Sequence, residues 1–156
     1  MTTTNKTLKL RNFFLFAILS AFIVFSACSG DEDENIAAEV AGTYEGTLKM
    51  SVSGRETDSF TTTITIREQS SSTVSIVLPE LPGSHGNVPE MELKGVSVRH
   101  DGDGIYSLSK STAVTLLDVN YAITLSGTHT DQATTLQYAV APEGMPMPIE
   151  ILFESR

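Results

Sequence analysis

The chain has a single cysteine, Cys28, in 156 residues, and it has no tryptophan. One cysteine excludes an intramolecular disulfide, so packed side chains must hold the fold. Basic residues are scarce too: 10 Lys and Arg against 19 Asp and Glu give a formal charge of −9. Nucleic acid is thereby disfavoured as a partner, because binding it requires a basic surface to neutralise phosphates. The longest apolar run, Phe13 to Phe25, falls short of the roughly 20 residues with which a helix crosses ~30 Å of hydrocarbon. Missing as well are Gly-x-Ser-x-Gly and His-Glu-x-x-His, the nucleophile turn and the paired-histidine helix of hydrolases. Catalysis has no support in the sequence, and no cofactor is expected.

What is present begins with export. Lys6, Lys9 and Arg11 make a positive start without any acid, the apolar run follows, and Ser26-Ala27 then precedes Cys28. That is the layout of a signal peptide. Phe25-Ser26-Ala27-Cys28 resembles the bacterial lipobox, with Phe25 where leucine is usual. The resemblance implies cleavage before Cys28, a diacylglyceryl group on its thiol and acylation of the freed amine. At ~0.8 kcal/mol per buried CH₂, two or three chains anchor stably where one does not. The membrane is therefore the expected partner, through the anchor on Cys28.

Behind the cysteine lie Asp31, Glu32, Asp33 and Glu34, a run that stays solvated. It serves as a spacer or, on the sharper reading, resembles the signal by which Bacteroidetes-type bacteria send lipoproteins to the outer face of the outer membrane. The expected address is thus the outer membrane, lipid-anchored and surface-exposed, with a periplasm-facing protein as the alternative. Residues 1–27 read as the signal peptide, 28–41 as lipidated cysteine and acidic tether, and 42–156 as the folded domain. As a flexible coil at ~5–6 Å × √n, the tether would hold the domain about 20 Å from its anchor. After cleavage, 7 basic residues face 19 acids, a charge of −12.

In the remaining chain the apolar residues recur at every second position, the period of a half-buried strand. Tyr44, Leu48, Met50 and Val52 alternate with Thr43, Glu45, Thr47, Lys49 and Ser51. A polar stretch, Ser53 to Asp58, predicts a turn, and Phe60, Thr62, Ile64 and Ile66 resume the alternation. Val74-Ile76-Leu78 makes a third run, and a loop rich in Pro and Gly spans Pro79 to Pro89. Leu93, Val96 and Val98 follow, with Gly95 suggesting a bulge. His100 to Gly104 predicts a turn leading to a strand with Tyr106 and Leu108, and Ala113 to Leu117 either a short ninth strand or an extension. Runs around Ile123, Tyr138 and Ile151 complete the set. About eight short strands in sequence predict an all-β fold, an antiparallel up-and-down barrel that closes to remove its edges, with a two-sheet sandwich as the alternative. A membrane-spanning barrel would carry aromatic girdles, which this chain lacks.

Gly42-Thr43-Tyr44-Glu45-Gly46-Thr47-Leu48, Gly86-Asn87-Val88, Gly104-Ile105-Tyr106-Ser107-Leu108 and Met147-Pro148-Ile149 leading into Phe153 resemble the calycin-like β-barrel lipoproteins over about residues 40–155. The resemblance implies a lipocalin-like barrel. Lipocalins open with Gly-x-Trp, whose Trp plugs the closed end of the barrel. Tyr44 stands in that place here, and a Tyr can do the same if its hydroxyl finds a partner.

Asp101-x-Asp103 begins like a calcium loop, but Ile105 stands where a ligand is needed, so a hairpin turn is expected. His85, His100 and His129 sit in or beside predicted loops, and scattered surface histidines are expected instead of a metal site. The inward stripe, including Leu48, Met50, Ile64, Ile76, Ile123 and Phe153, predicts a barrel that takes a small apolar or amphipathic ligand. Tyr44, Phe60, Tyr121 and Tyr138 are its candidate ligand-binding residues. The alternative is a structural or interaction protein with a filled barrel, meeting a protein or glycan through the 79–89 and 143–148 loops. An eight-stranded barrel is just wide enough for side chains to fill it, so an interior void of several hundred Å³ separates the two readings. A monomer is expected.

Overall fold

The computed structural model describes residues 34–83, 87–145 and 147–155. The chain divides into two units, Met1–Glu34 and Asn35–Arg156, and the second contains all the elements described below. A short helix α1 (Ile36–Val40) precedes eight strands: β1 (Gly42–Val52), β2 (Arg55–Ser70), β3 (Thr73–Leu78), β4 (Met91–Gly102), β5 (Ile105–Leu116), β6 (Val119–His129), β7 (Thr134–Pro142) and β8 (Ile149–Ser155). Each strand pairs antiparallel with the next in sequence, and β8 pairs back onto β1, closing the barrel. The predicted up-and-down barrel is what forms, and the sandwich is excluded. Residues 113–116 extend β5 and are not a ninth strand.

Alternation sets which face is inside. Leu48, Ile64, Ile76, Leu93, Leu108, Ile123, Leu136 and Phe153 are at most 1% exposed, while Glu45, Thr61, Thr63 and Lys94 between such residues are exposed. The outward face is polar, the reverse of the apolar band that a spanning barrel turns to lipid.

Closure depends on two close approaches. An added Cβ at Gly46 would press on the Glu154 carbonyl oxygen and meet Phe153 Cζ at 2.8 Å, and one at Gly127 would meet Leu136 Cδ2 at 2.5 Å. Only glycine lets β8 and β7 lie against these strands. The bulge expected at Gly95 is present: its φ is +65°, and the β3–β4 register shifts between Val74 and Ile76.

Two boundaries differ from the sequence reading. Ser53–Gly54 alone makes the first turn, with φ of 54° and 72°. Paired positive φ values suit the twist of a two-residue hairpin. Glu56, Thr57 and Asp58, polar enough to suggest a loop, therefore stay in or beside the β1–β2 ladder. The His100–Gly104 turn is likewise shorter, with Gly102 still paired to Ile105.

The described fold also begins earlier than residue 42, where the sequence reading placed the domain. Asn35 caps α1, its Oδ1 accepting from Ala38 N at 3.3 Å, and its Nδ2 donates to Glu68 Oε1 at 2.9 Å. Ala37 N donates to the Ser71 carbonyl at 3.0 Å. Ala37 and Val40 are fully buried. Ile36 and Ala37 lie one helical turn before Val40, giving even this five-residue helix an apolar face.

Candidate functional site

The two ends of the barrel differ in kind. At the end where β1 begins, α1 lies across the opening and a buried polar cluster holds it. Tyr44 Oη donates to the Val40 carbonyl at 2.9 Å. Tyr44 also stands edge-on to His129, with centroids 5.5 Å apart, and Tyr106 is 6.2 Å beyond. His129 Nδ1 meets Thr134 Oγ1 at 2.8 Å, and its ring also bonds the Glu39 backbone carbonyl. Thr134 N in turn donates to Ser155 Oγ at 2.6 Å. Burial pushes the His129 pKa down from its ordinary value, against the smaller opposing pull of Asp131 and Glu39, so the ring sits neutral among its partners. Burial likewise raises the pKa of Tyr44. This end is plugged.

The other end is formed by the β1–β2 turn, the 79–90 connection, the Leu117–Asp118 turn and the 143–148 connection. Its shape follows from unequal strands. β2 runs for 16 residues but β3 for only 6, and β3 pairs with β2 only over residues 65–70. Pro79, Pro82 and Pro89 cannot donate to a ladder, which ends β3 early. The upper half of β2 is thus without a β3 neighbour, and the 79–90 connection folds beside the notch. That connection is fixed by the Leu81–Val88 bridge and by Asn87, which bonds Glu80 and Gly83.

A cavity of about 610 Å³ fills this mouth, lined by Met50 and Val52 of β1, Thr57 and Asp58 of β2, Pro82, Gly83, Asn87 and Val88 of the connection, and Met145, Met147 and Ile149. Asp58 is the one charged side chain among the described residues of that lining. Ser53 Oγ donates to Met147 Sδ at 2.5 Å, joining two of the loops. Among the described residues, Leu117, Met145 and Met147, three of the four large apolar side chains that stand exposed, lie in these mouth turns. Leu117 also has a φ of 50°, an unusual conformation for a bulky side chain. The volume suits a small ligand, and the thioethers make the walls adaptable.

The expected ligand residues do not share one place. Tyr44 is a correction: it belongs to the plug at the far end, where its hydroxyl is engaged by Val40. Phe60 is half-buried beside Leu48, and Tyr121, 6% exposed, faces inward between Val114 and Pro142. Tyr138 is 3% exposed, between Leu125 and Ile151. Its hydroxyl is buried with no hydrogen-bond partner, and burial raises its pKa so far that it remains a donor.

The barrel's middle is packed and the cavity lies above it, framed by residues of the 79–89 and 143–148 loops. Met145, Met147 and Val88 were missed as lining. Their signal was a pair of methionines in a loop, where nothing in the period of the strands asks for apolar residues.

His100 stacks on Tyr106 with centroids 4.8 Å apart, and His129 is in the plug. Among the described residues no group of His, Cys, Asp or Glu could hold a metal ion. Asp101 accepts from Arg99 at 2.7 Å, which holds its carboxyl below the usual range. The turn reading of that segment stands. Cys28, Asp31, Glu32, Asp33 and His85 lie outside the described residues, and Glu34 is exposed.

A second groove, about 570 Å³, lies on the wall of β1, β2, β6, β7 and β8, lined by polar residues such as Lys49, Glu56, Gln137 and Glu150 and bordered by Met50, Tyr138 and Ile151.

A closed eight-stranded meander with one end plugged and the other open defines a barrel of the lipocalin-like class. Residues 40–155 match the calycin-like beta-barrel domain family, and the chain belongs to that family. It is similar in structure to a "putative outer membrane protein" from Bacteroides fragilis, with 26% identity and a TM-score of 0.67 over 79% of this chain. The chain spans about half, 53%, of that protein. A comparison with curated proteins found no match.

Proposed function

We propose that this protein is a lipid-anchored lipoprotein of the outer membrane whose barrel mouth binds a small apolar or amphipathic ligand. The carrying observation is the mouth cavity, apolar along most of its lining and framed by methionines. Anchoring rests on Cys28 behind a signal-peptide pattern, and the kinship with the Bacteroides fragilis protein is consistent with that address. Surface exposure rests on the acids 31–34. The folded domain begins at Asn35, at the plugged end.

Native mass spectrometry of the purified chain, or extraction of lipid from it, is the direct test of ligand carriage. A retained small molecule that is lost in Met147→Glu supports the reading, and a chain that retains none argues against it. For the anchor, Cys28→Ala is expected to leave the membrane fraction, and protease shaving of intact cells is expected to remove the domain.

The packed middle of the barrel favours a second reading, an envelope protein that contacts a protein or glycan. The polar outer groove at Lys49, Glu56 and Gln137 suits that role. Under this reading Glu56→Ala with Gln137→Ala abolishes partner capture, and Met147→Glu leaves it intact.

A further inference from the structure

Tyr44 and Tyr138 carry the same hydroxyl inside the same barrel, yet only one is unsatisfied. Tyr44 donates to the Val40 carbonyl, whereas Tyr138 Oη is buried without a partner. Buried polar atoms are almost always paired, and an exception calls for an explanation, such as a missing water, ion or ligand.

The depth of Tyr138 can be counted along the strands. Tyr44, His129 and Thr134 touch one another at the plug and define a common level. Met50, in the cavity wall, is six residues above Tyr44 on β1, and Tyr138 is four above Thr134 on β7. The difference of two residues, at ~3.3 Å each, puts Tyr138 roughly 7 Å nearer the plug than Met50. Both belong to one row of paired residues, Met50–Ile151–Tyr138. A group that enters the mouth and displaces the flexible Met50 side chain therefore comes next to Tyr138.

The charge of that group is constrained as well. Among the described residues the buried polar side chains other than tyrosines are Ser75, His129 and Thr134, and none is a lysine or arginine. An anionic head at this depth would lack a counter-charge and pay its full desolvation. A neutral acceptor would not.

We propose that Tyr138 is the polar anchor of the mouth site. Its hydroxyl donates a hydrogen bond to a neutral oxygen, of a ketone, ester or alcohol, at the leading end of a ligand whose apolar remainder occupies the cavity of Met50, Val88, Met145, Met147 and Ile149. This rests on the ligand-binding reading and narrows it to a chemical class.

The test uses a solvatochromic naphthyl ketone, 6-propionyl-2-(dimethylamino)naphthalene, whose emission moves to the blue when its carbonyl loses a hydrogen bond. Its carbonyl-free propyl analogue is the control. Binding to the full chain is measured for wild type, Tyr138→Phe and Met147→Glu. Tyr138→Phe is expected to bind the ketone about 5–20-fold more weakly, the size of one buried hydrogen bond, with blue-shifted emission and unchanged affinity for the analogue. Its thermal midpoint should equal or exceed wild type, since an unpaired hydroxyl has been removed. Equal ketone affinity and unshifted emission in Tyr138→Phe overturn the anchor alone, provided Met147→Glu still weakens binding. That result would assign the hydroxyl to a buried water. Failure of the wild type to bind the ketone overturns the anchor and the mouth site together.

Discussion

If α1 is part of the fold, removing volume beneath it must cost stability, and Val40→Ala measures how much. Val40 is fully buried, and the mutation deletes two carbons from its side chain. At ~0.8 kcal/mol per CH₂ the transfer loss is about 1.6 kcal/mol. A residual cavity of some tens of Å³, at ~24 cal/mol per Å³, adds about 1 kcal/mol. The expected loss is about 2–3 kcal/mol, capped by the free energy of docking α1, because beyond that value the helix detaches and the barrel stays folded. With a urea m-value of ~1–3 kcal/mol/M, the midpoint falls by roughly 1 M or more. The chain has no tryptophan, so far-UV circular dichroism and tyrosine emission are the probes. Glu39→Gln, an exposed change on the same helix, is the control and should stay within about 0.5 kcal/mol of wild type. If Val40→Ala costs no more than the control, α1 is only the end of a tether, and the account of the plugged end is wrong.

Other outcomes follow from the same geometry. His129 is buried with its pKa lowered, so on acidification the unfolded chain takes up this proton before the folded one. Its contribution therefore makes stability fall as pH drops through about 6.5, levelling off below the folded pKa. His129→Gln should show a smaller loss between pH 7.5 and 5.5 in urea titrations, and an unchanged loss would remove His129 from the plug's energetics. Gly46→Ala should cost about 1–3 kcal/mol, because its methyl group meets the β8 backbone where the barrel closes. Calorimetry showing a neutral effect would mean that β1 and β8 separate easily. Leu117→Asn should raise stability by up to about 1 kcal/mol, since asparagine tolerates a φ of 50° better than leucine. A drop in melting temperature would show that exposed Leu117 packs on something at the rim.

The fold was legible because a barrel wall repeats one simple rule. Leu48, Ile64, Ile123 and Tyr138 lie at alternate positions of their strands, and each turned out buried. Alternation states which residues share a face, and the polar Thr and Ser on the other face state which side meets water. The Gly95 bulge was readable because a glycine interrupts the strand period there, and the Tyr44 plug was readable through the resemblance to lipocalins. The short helix was not. Five residues carry too little period to stand out, and α1 is stable only where the barrel offers it a surface.

The mouth site depended on tertiary structure for a different reason. Met50, Val88 and Met147 are separated along the chain, and nothing in their local sequence says that they converge. Their meeting is set by strand lengths: β3 stops at Leu78, β2 does not, and two loops fold into the gap. Local pattern and turn chemistry thus determined the eight strands and their inward faces, and the lipocalin resemblance pointed to Tyr44 as the plug. Which end stays open, how deep Tyr138 lies beneath it, and that its hydroxyl lacks a partner are products of closure, because a register of eight paired strands places residues that no short-range rule relates.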